Sequence, residues 1–263
     1  MYEMKRGILV ISHGSREKEW VERVDCAVQE AAASPELRSI PIVSAFLEIV
    51  EGRLIQDGID ELYRHGVTDM LVIPLFVSSG STHVEEIRQA FGFEPAAHLE
   101  GDLEPLRVQG QISFGRPIDA GQEIAQLLYD HIGSLSAAPS EEALLLIAHG
   151  SKEPVFQELY VQGLALLAGQ LQELGGFARS EYALLLPDQA AAKLTAMNEA
   201  HPEDTVIVVP IFLSQGYFTN QVIPARLNGL RYRYNGRAML PHPVVAQWLI
   251  RQSLDWLNTR KET

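Results

Sequence analysis

The chain has 263 residues, 46% hydrophobic and 21% charged, the composition of an ordinary globular protein rather than a disordered or fibrous one. A formal net charge of −13 argues against nucleic acid as a partner, because phosphate binding depends on clustered Lys and Arg. The single cysteine, Cys26, excludes an internal disulfide framework, and the apolar run at residues 7–11 is too short for a signal-peptide core or a bilayer span. A cytoplasmic protein without a membrane partner is expected.

In chain order, apolar and β-branched runs predict strands near 7–12, 40–47, 70–77 and 106–113. Helical periodicity lies between and after them, near 16–33, 51–65, 84–91 and 118–133. Leu135-Ser136-Ala137-Ala138-Pro139-Ser140 reads as a linker. The order then repeats, with strands near 143–148, 179–186, 205–213 and 236–240 and helices near 153–174, 188–200, 221–229 and 243–259. This alternation predicts an α/β fold of two Rossmann-like halves, 1–135 and 141–263, each a mostly parallel four-stranded sheet flanked by helices.

The halves are copies. Ile8-Leu9-Val10-Ile11-Ser12-His13-Gly14-Ser15 recurs as Leu144-Leu145-Leu146-Ile147-Ala148-His149-Gly150-Ser151, and Pro74-Leu75-Phe76-Val77-Ser78-Ser79-Gly80 as Pro210-Ile211-Phe212-Leu213-Ser214-Gln215-Gly216. The copies differ at chemically informative positions. Ser81-Thr82-His83-Val84-Glu85-Glu86 faces Tyr217-Phe218-Thr219-Asn220-Gln221-Val222, which pairs His83 with Thr219 and replaces two carboxylates with amides or apolar groups. Glu48, after Ala45-Phe46-Leu47, faces Leu186. A glutamate that its sister copy replaces with leucine is not demanded by the fold, although a solvated charge at a strand end is the plain alternative.

In parallel sheets ligands bind beyond the carboxyl ends of the strands, where His13, Glu48 and His83 all fall. Two imidazoles and a carboxylate suit a borderline divalent metal such as cobalt, iron, nickel or zinc. Each residue also has a structural reading. His-Gly-Ser can serve only to start a helix, and Glu85 and Glu86 can complement a helix N-terminus. Glu86, one turn beyond His83, can instead orient that imidazole. His65, His98, His131 and His201 lie in helical or loop contexts that favour ordinary surface or packing roles. No Walker loop, nucleophile elbow or dinucleotide fingerprint occurs in a strand-to-helix context.

The ordered set His13-Gly14-Ser15, Ala45-Phe46-Leu47-Glu48 and Gly80-Ser81-Thr82-His83-Val84, with Phe212-Leu213-Ser214-Gln215-Gly216-Tyr217-Phe218-Thr219-Asn220 in the second copy, resembles the sirohydrochlorin chelatases. These are class II chelatases of the cobalamin and sirohaem pathways, and the duplication resembles their two-domain members. The resemblance implies a lyase that inserts Co²⁺ or Fe²⁺ into sirohydrochlorin, with two halves enclosing a tetrapyrrole cleft and the metal site in the first half. It implies metal and catalytic roles for His13, His83 and Glu48. The metal is then substrate, with Ni²⁺ also compatible, and no organic cofactor is needed. Ser78, Ser79, Ser214 and Gln215 are candidate donors to the ring's carboxylates. Tyr217 and Phe218 offer either an apolar surface to the ring or ordinary packing between domains. Glu86 is a candidate orienting group, and His149 has a role in substrate contact or structure. The family's Asp-Ile-Pro continuation is absent, since His83-Val84-Glu85-Glu86-Ile87-Arg88 has glutamate and no proline. A chelatase for another tetrapyrrole, such as protoporphyrin, and a non-catalytic metal or tetrapyrrole carrier are the rival readings. A monomer is expected, because a two-domain chain can complete its own cleft.

Overall fold

A computed structural model describes residues 5–95, 99 and 101–259. Its elements are β1 (Arg6–Ser12), α1 (Lys18–Ala32), β2 (Ile42–Phe46), α2 (Ile55–Arg64), β3 (Asp69–Pro74), α3 (Thr82–Ala90), β4 (Gln111–Phe114) and α4 (Gln122–Ile132). The second series is β5 (Glu142–Gly150), α5 (Pro154–Gly175), β6 (Arg179–Leu186), α6 (Ala190–Ala200), β7 (Thr205–Pro210), α7 (Ile223–Arg226) and α8 (Pro243–Thr259). A π-helical turn, Phe218–Val222, leads into α7.

The strands form two all-parallel sheets, β2-β1-β3-β4 and β6-β5-β7. In each, the strand that runs into or up to His-Gly lies between two neighbours, which explains its unbroken apolar run. Ile8, Leu9, Val10 and Ile11 are buried, as are Leu144 through Ala148, because helices cover both faces of such a sheet. The register also repeats, Ile11 pairing with Pro74 as Ile147 pairs with Pro210. Helix α1 turns Trp20, Val24, Ala27, Val28 and Ala31 inward, one face of a 3.6-residue repeat.

The second sheet has three strands among the described residues, not the expected four. The predicted strand 236–240 is only part of a broken edge: Arg233 bridges to Ile207 and Leu240 to Ser214. Between these contacts Gly236 adopts φ 70°, and the reversal prevents one continuous ladder.

Packing divides the chain into two compact units. One comprises the chain up to Phe76, His83–Ile118 and the chain from Pro241 onward; the other comprises Val77–Thr82 and Asp119–Leu240. The last helix, α8, thus belongs with the first sheet and packs on α1 and β3. There Trp256 Nε1 donates to Ser113 Oγ at 3.0 Å, and Gln252 donates to Arg116 O at 2.7 Å while accepting from Arg116 N at 3.0 Å. Helix α4 packs on α5 and β7 in the other unit. The repeats seen in sequence, 1–135 and 141–263, therefore differ from the packing units in where each final helix goes.

The linker is fastened rather than slack. Buried Glu142 accepts from Ser136 Oγ (2.5 Å), Ala137 N (2.9 Å) and Arg233 Nη1 (2.8 Å), and Arg233 Nη1 also donates to Leu135 O (2.7 Å). Burial alone would raise the Glu142 carboxyl, but the hydrogen bonds from Ser136, Ala137 and Ala138 and the charge of Arg233 outweigh it and hold the group below its ordinary range. A carboxylate depressed on folding stabilises above its unfolded pKa of about 4.3 and loses that contribution as pH falls through the folded value. Glu142→Gln should cost about 1–3 kcal/mol at neutral pH and flatten the acid limb of stability. Urea unfolding at stepped pH measures both, and an unchanged acid slope would count against the clamp.

Candidate functional site

β1 ends at Ser12, and the chain turns through His13 and Gly14, the glycine at φ 99°. A side chain at Gly14 would overlap the carbonyl oxygen of Glu48. The same construction recurs at Gly150, φ 86°, against the carbonyl of Leu186. Ser15 Oγ accepts from Glu17 N and Ser151 Oγ from Glu153 N, each at 3.1 Å. Glycine and serine of the repeated motif are thus turn-building residues in both copies, and neither serine caps a helix, since α1 and α5 start from Glu17 and Glu153. The histidine is not explained by that role.

The close approach brings the chain after β2 alongside His13. Leu47 N donates to Ser12 O at 2.8 Å and Glu48 N to His13 O at 3.1 Å. Glu48 Oε1 then lies 3.6 Å from His13 Nδ1. That nitrogen is also 3.3 Å from Gly14 O. A carbonyl only accepts, so Nδ1 is the donor, and in the neutral ring Nε2 carries the lone pair. His149 repeats this contact, with Nδ1 3.1 Å from Gly150 O.

His83 lies in the first turn of α3, where Glu86 Oε2 is 3.1 Å from its Nδ1. An ionised carboxylate also only accepts, which in the neutral ring again leaves the lone pair on Nε2. The His13 and His83 rings meet edge to face, with centroids 4.9 Å apart at 80°. Both imidazoles are about two-fifths exposed, enough to receive a ligand. Thus His13, Glu48, His83 and Glu86 come together in the first unit through the pair contacts His13–Glu48, His13–His83 and His83–Glu86. Among the described residues no three His, Cys, Asp or Glu side chains form a ready-made metal group.

The other candidates belong to the second unit. Ser78, at φ 81°, accepts from Gly80 N at 3.0 Å. Ser79 donates to Asp119 through both its N–H (2.7 Å) and its hydroxyl (2.6 Å), so those donors are committed. Ser214 Oγ is buried without a hydrogen-bond partner among the described residues, and Gln215 Nε2 donates to Gly236 O at 3.0 Å. Tyr217 is 58% exposed. Phe218 stacks on Phe212 at 5.5 Å and meets His149 edge to face at 5.0 Å and 87°.

That last contact corrects the pairing of His83 with Thr219. Phe218, not Thr219, faces the repeated histidine as His83 faces His13. Three residues separate His83 from buried Ile87, whereas four separate Phe218 from its counterpart Ile223, and the π turn absorbs the extra one. Thr219 is buried, exchanging hydrogen bonds with Gly216 N (3.0 Å) and Gly216 O (3.1 Å). Of the remaining histidines, His65 caps the end of α2, His131 lies in α4 and His201 pairs with Glu203 at 3.5 Å. His98 lies outside the described residues.

The family model CbiX matches residues 7–135 and again 143–255. The chain belongs to the CbiX family. The double match runs along both repeats. A similar protein, the sirohydrochlorin cobaltochelatase of Methanopyrus kandleri, is 24% identical over 139 residues, 48% of this chain and 93% of that protein. SirB from Bacillus subtilis with Fe³⁺ is similar in fold, with a TM-score of 0.72 at 22% identity over 96% of this chain and 95% of that one. The sirohydrochlorin chelatase SirB from Bacillus subtilis subspecies spizizenii, in complex with cobalt, gives 0.65 at 22% identity over 95% and 94%. No helix among the described residues is long and apolar enough to cross a membrane.

The paired glycines offer an internal comparison. Gly14→Ala and Gly150→Ala should each destabilise their unit by about 1–3 kcal/mol, since each places a side chain in a strained, filled position. Only Gly14→Ala should also displace a carboxylate from an imidazole. Denaturant titration read beside the His13 ring resonances separates the effects; unchanged His13 resonances in Gly14→Ala would refute that distinction.

Proposed function

We propose that this chain is a sirohydrochlorin metal chelatase that inserts Co²⁺ or Fe²⁺ into the tetrapyrrole and releases two pyrrole protons. The edge contact between His13 and His83 carries the reading. Each ring has Nδ1 turned to an oxygen and Nε2 carrying its lone pair, as a nitrogen ligand for a borderline divalent ion requires. Family membership and the names of similar proteins support the substrate.

Insertion requires that the cation lose waters, sit over the ring and displace two N–H protons. Neutral imidazoles serve because they hold a cation without the charge that would make release costly. Glu86 fixes the tautomer of His83, as carboxylates do for metal-binding histidines. Glu48, beside His13, either adds an oxygen ligand or accepts a pyrrole proton. Ser78 and Ser214 are assigned to the ring's carboxylates, and Tyr217 and Phe218 to its apolar face; Ser79 and Gln215 are left out of that set, because their donors are held by Asp119 and by Gly236 O.

The deciding experiment incubates protein with sirohydrochlorin and Co²⁺, or Fe²⁺ without oxygen, and follows the tetrapyrrole spectrum with substrate in large excess. Many turnovers are expected, whereas a carrier would give at most a stoichiometric change. Protoporphyrin in the same assay should not turn over. His13→Ala and His83→Ala should each lower turnover by about 10²-fold or more, the scale for removing a positioned catalytic group. Glu48→Gln should lose turnover while retaining sirohydrochlorin affinity, measured by fluorescence. Unchanged turnover in that variant would leave a histidine-only site.

A further inference from the structure

Glu48 is carried on a loop of unusual conformation. Ile49 has φ 73°, a region that β-branched residues rarely enter. Across it Val50 N donates to Glu48 O at 2.8 Å, closing a three-residue turn of the strained hand. Such strain persists only where the surroundings over-determine it.

The surroundings here converge on Arg53. Its main chain ties the loop at two points, Arg53 N donating to Val50 O at 3.2 Å and Phe46 N to Arg53 O at 2.9 Å. Its guanidinium forks onto Asp25 of α1, Nη1 to Oδ2 at 2.8 Å and Nη2 to Oδ1 at 2.6 Å. Ser44 Oγ accepts from Nη2 at 2.5 Å and donates to Asp25 Oδ1 at 2.6 Å. The guanidinium carbon also lies 4.8 Å from the centre of the Phe46 ring. Burial would raise the Asp25 carboxyl, but the bonds from Arg53 and Ser44 and the guanidinium charge hold it below its ordinary range. The second repeat, with Leu186 in place of Glu48, continues as Pro187-Asp188-Gln189 and is held differently, by Arg226 of α7, which donates to Leu185 O at 2.6 Å and pairs with Asp188 at 3.3 Å. The fork of an arginine within the loop onto a carboxylate of α1 thus accompanies the copy that carries Glu48.

We propose that Arg53 and Asp25 are positioning residues, whose clamp holds the strained turn at Ile49 and so keeps Glu48 beside His13. This rests on the assignment of Glu48 to metal or proton handling. Asp25 and Arg53 need not touch metal or tetrapyrrole; they act through the loop.

The test uses the full chain and two independent readouts. In Arg53→Ala, exchange protection of the Val50 amide should fall about tenfold or more while Leu9 and Ile11 in β1 keep theirs. Turnover of Co²⁺ into sirohydrochlorin should fall about tenfold or more with KM for sirohydrochlorin little changed, because a small misplacement acts on the chemical step. Arg53→Lys keeps the charge but not the fork, and Asp25→Asn keeps the shape but not the charge; both fold conservatively and should fall between. The same Arg53→Ala change made in an Ile49→Gly background should cost less turnover, since glycine adopts positive φ without strain. Equal losses in both backgrounds, or Val50 protection unchanged in all three clamp variants, would overturn the proposal. If the wild-type protein inserts no metal, the chelatase reading fails while Val50 exchange still decides whether the clamp holds the turn.

Discussion

The arrangement depends on one close approach, the backbone carbonyl of residue 48 against the α-carbon of Gly14. Only a residue without a side chain fits there, and only at positive φ. The approach lets the segment after β2 pair beyond the end of β1, so Ser12 and His13 accept from Leu47 and Glu48. Two residues far apart in sequence become neighbours through backbone geometry alone. β1, buried from Gly7 to Ser12, makes that geometry rigid: sliding it would expose Ile8 to Ile11, at roughly 1.5–3 kcal/mol for each large side chain.

Duplication shows which parts of this construction are scaffold. Gly150 and the carbonyl of Leu186 reproduce the approach, and His149 reproduces the contact of Nδ1 with the following carbonyl. What differs is the company of the imidazole. In the first unit it has a carboxylate and a second imidazole; in the second it has Phe218, which stacks in turn on Phe212. The edge-to-face geometry is nearly the same, 80° against 87°. A similar framework therefore supports a polar cluster in one copy and an aromatic cluster in the other, with a π turn bringing Phe218 to the place of His83 and side-chain identity then deciding the available chemistry.

The sequence made the scaffold legible because its signals are local. Unbroken apolar runs marked the central strands, and the duplicated His-Gly-Ser marked their ends. Glu48 stood out because its counterpart is leucine, a comparison that needs no coordinates. Features set by tertiary context were hidden. Nothing local says that α8 packs on α1, since its apolar face suits either sheet. Phe218 was concealed because an ungapped alignment cannot register a residue absorbed by a π turn. The broken edge between Arg233 and Leu240 carries strand-like residues, and the reversal at Gly236 emerges only in the folded chain. Asp25 and Arg53 lie on separate elements as ordinary surface charges, and their meeting exists only in the folded chain.

Strain has a consistent place in this architecture. Among the described residues, the non-glycine positions at positive φ are Ile49 and Ser78, the first directly after Glu48 and the second in the segment leading to His83. Each costs on the order of 1–3 kcal/mol, and selection for stability alone would replace such residues with glycine or reshape the loops. A flexible residue would lower that cost and also let the loop wander, whereas a side chain held at positive φ by its neighbours restricts where the adjacent residue can point. The restraints differ accordingly. The loop with Ile49 is fastened by the Arg53 fork, whereas the loop with Ser78 is fastened by Asp119 on Ser79 and by a hydrogen bond between Ser81 and buried Tyr160. For a site proposed to hold a cation only transiently, such rigidity has a specific use. The ligands themselves must bind weakly enough to release the ion, so their placement has to come from the loops that carry them rather than from the metal.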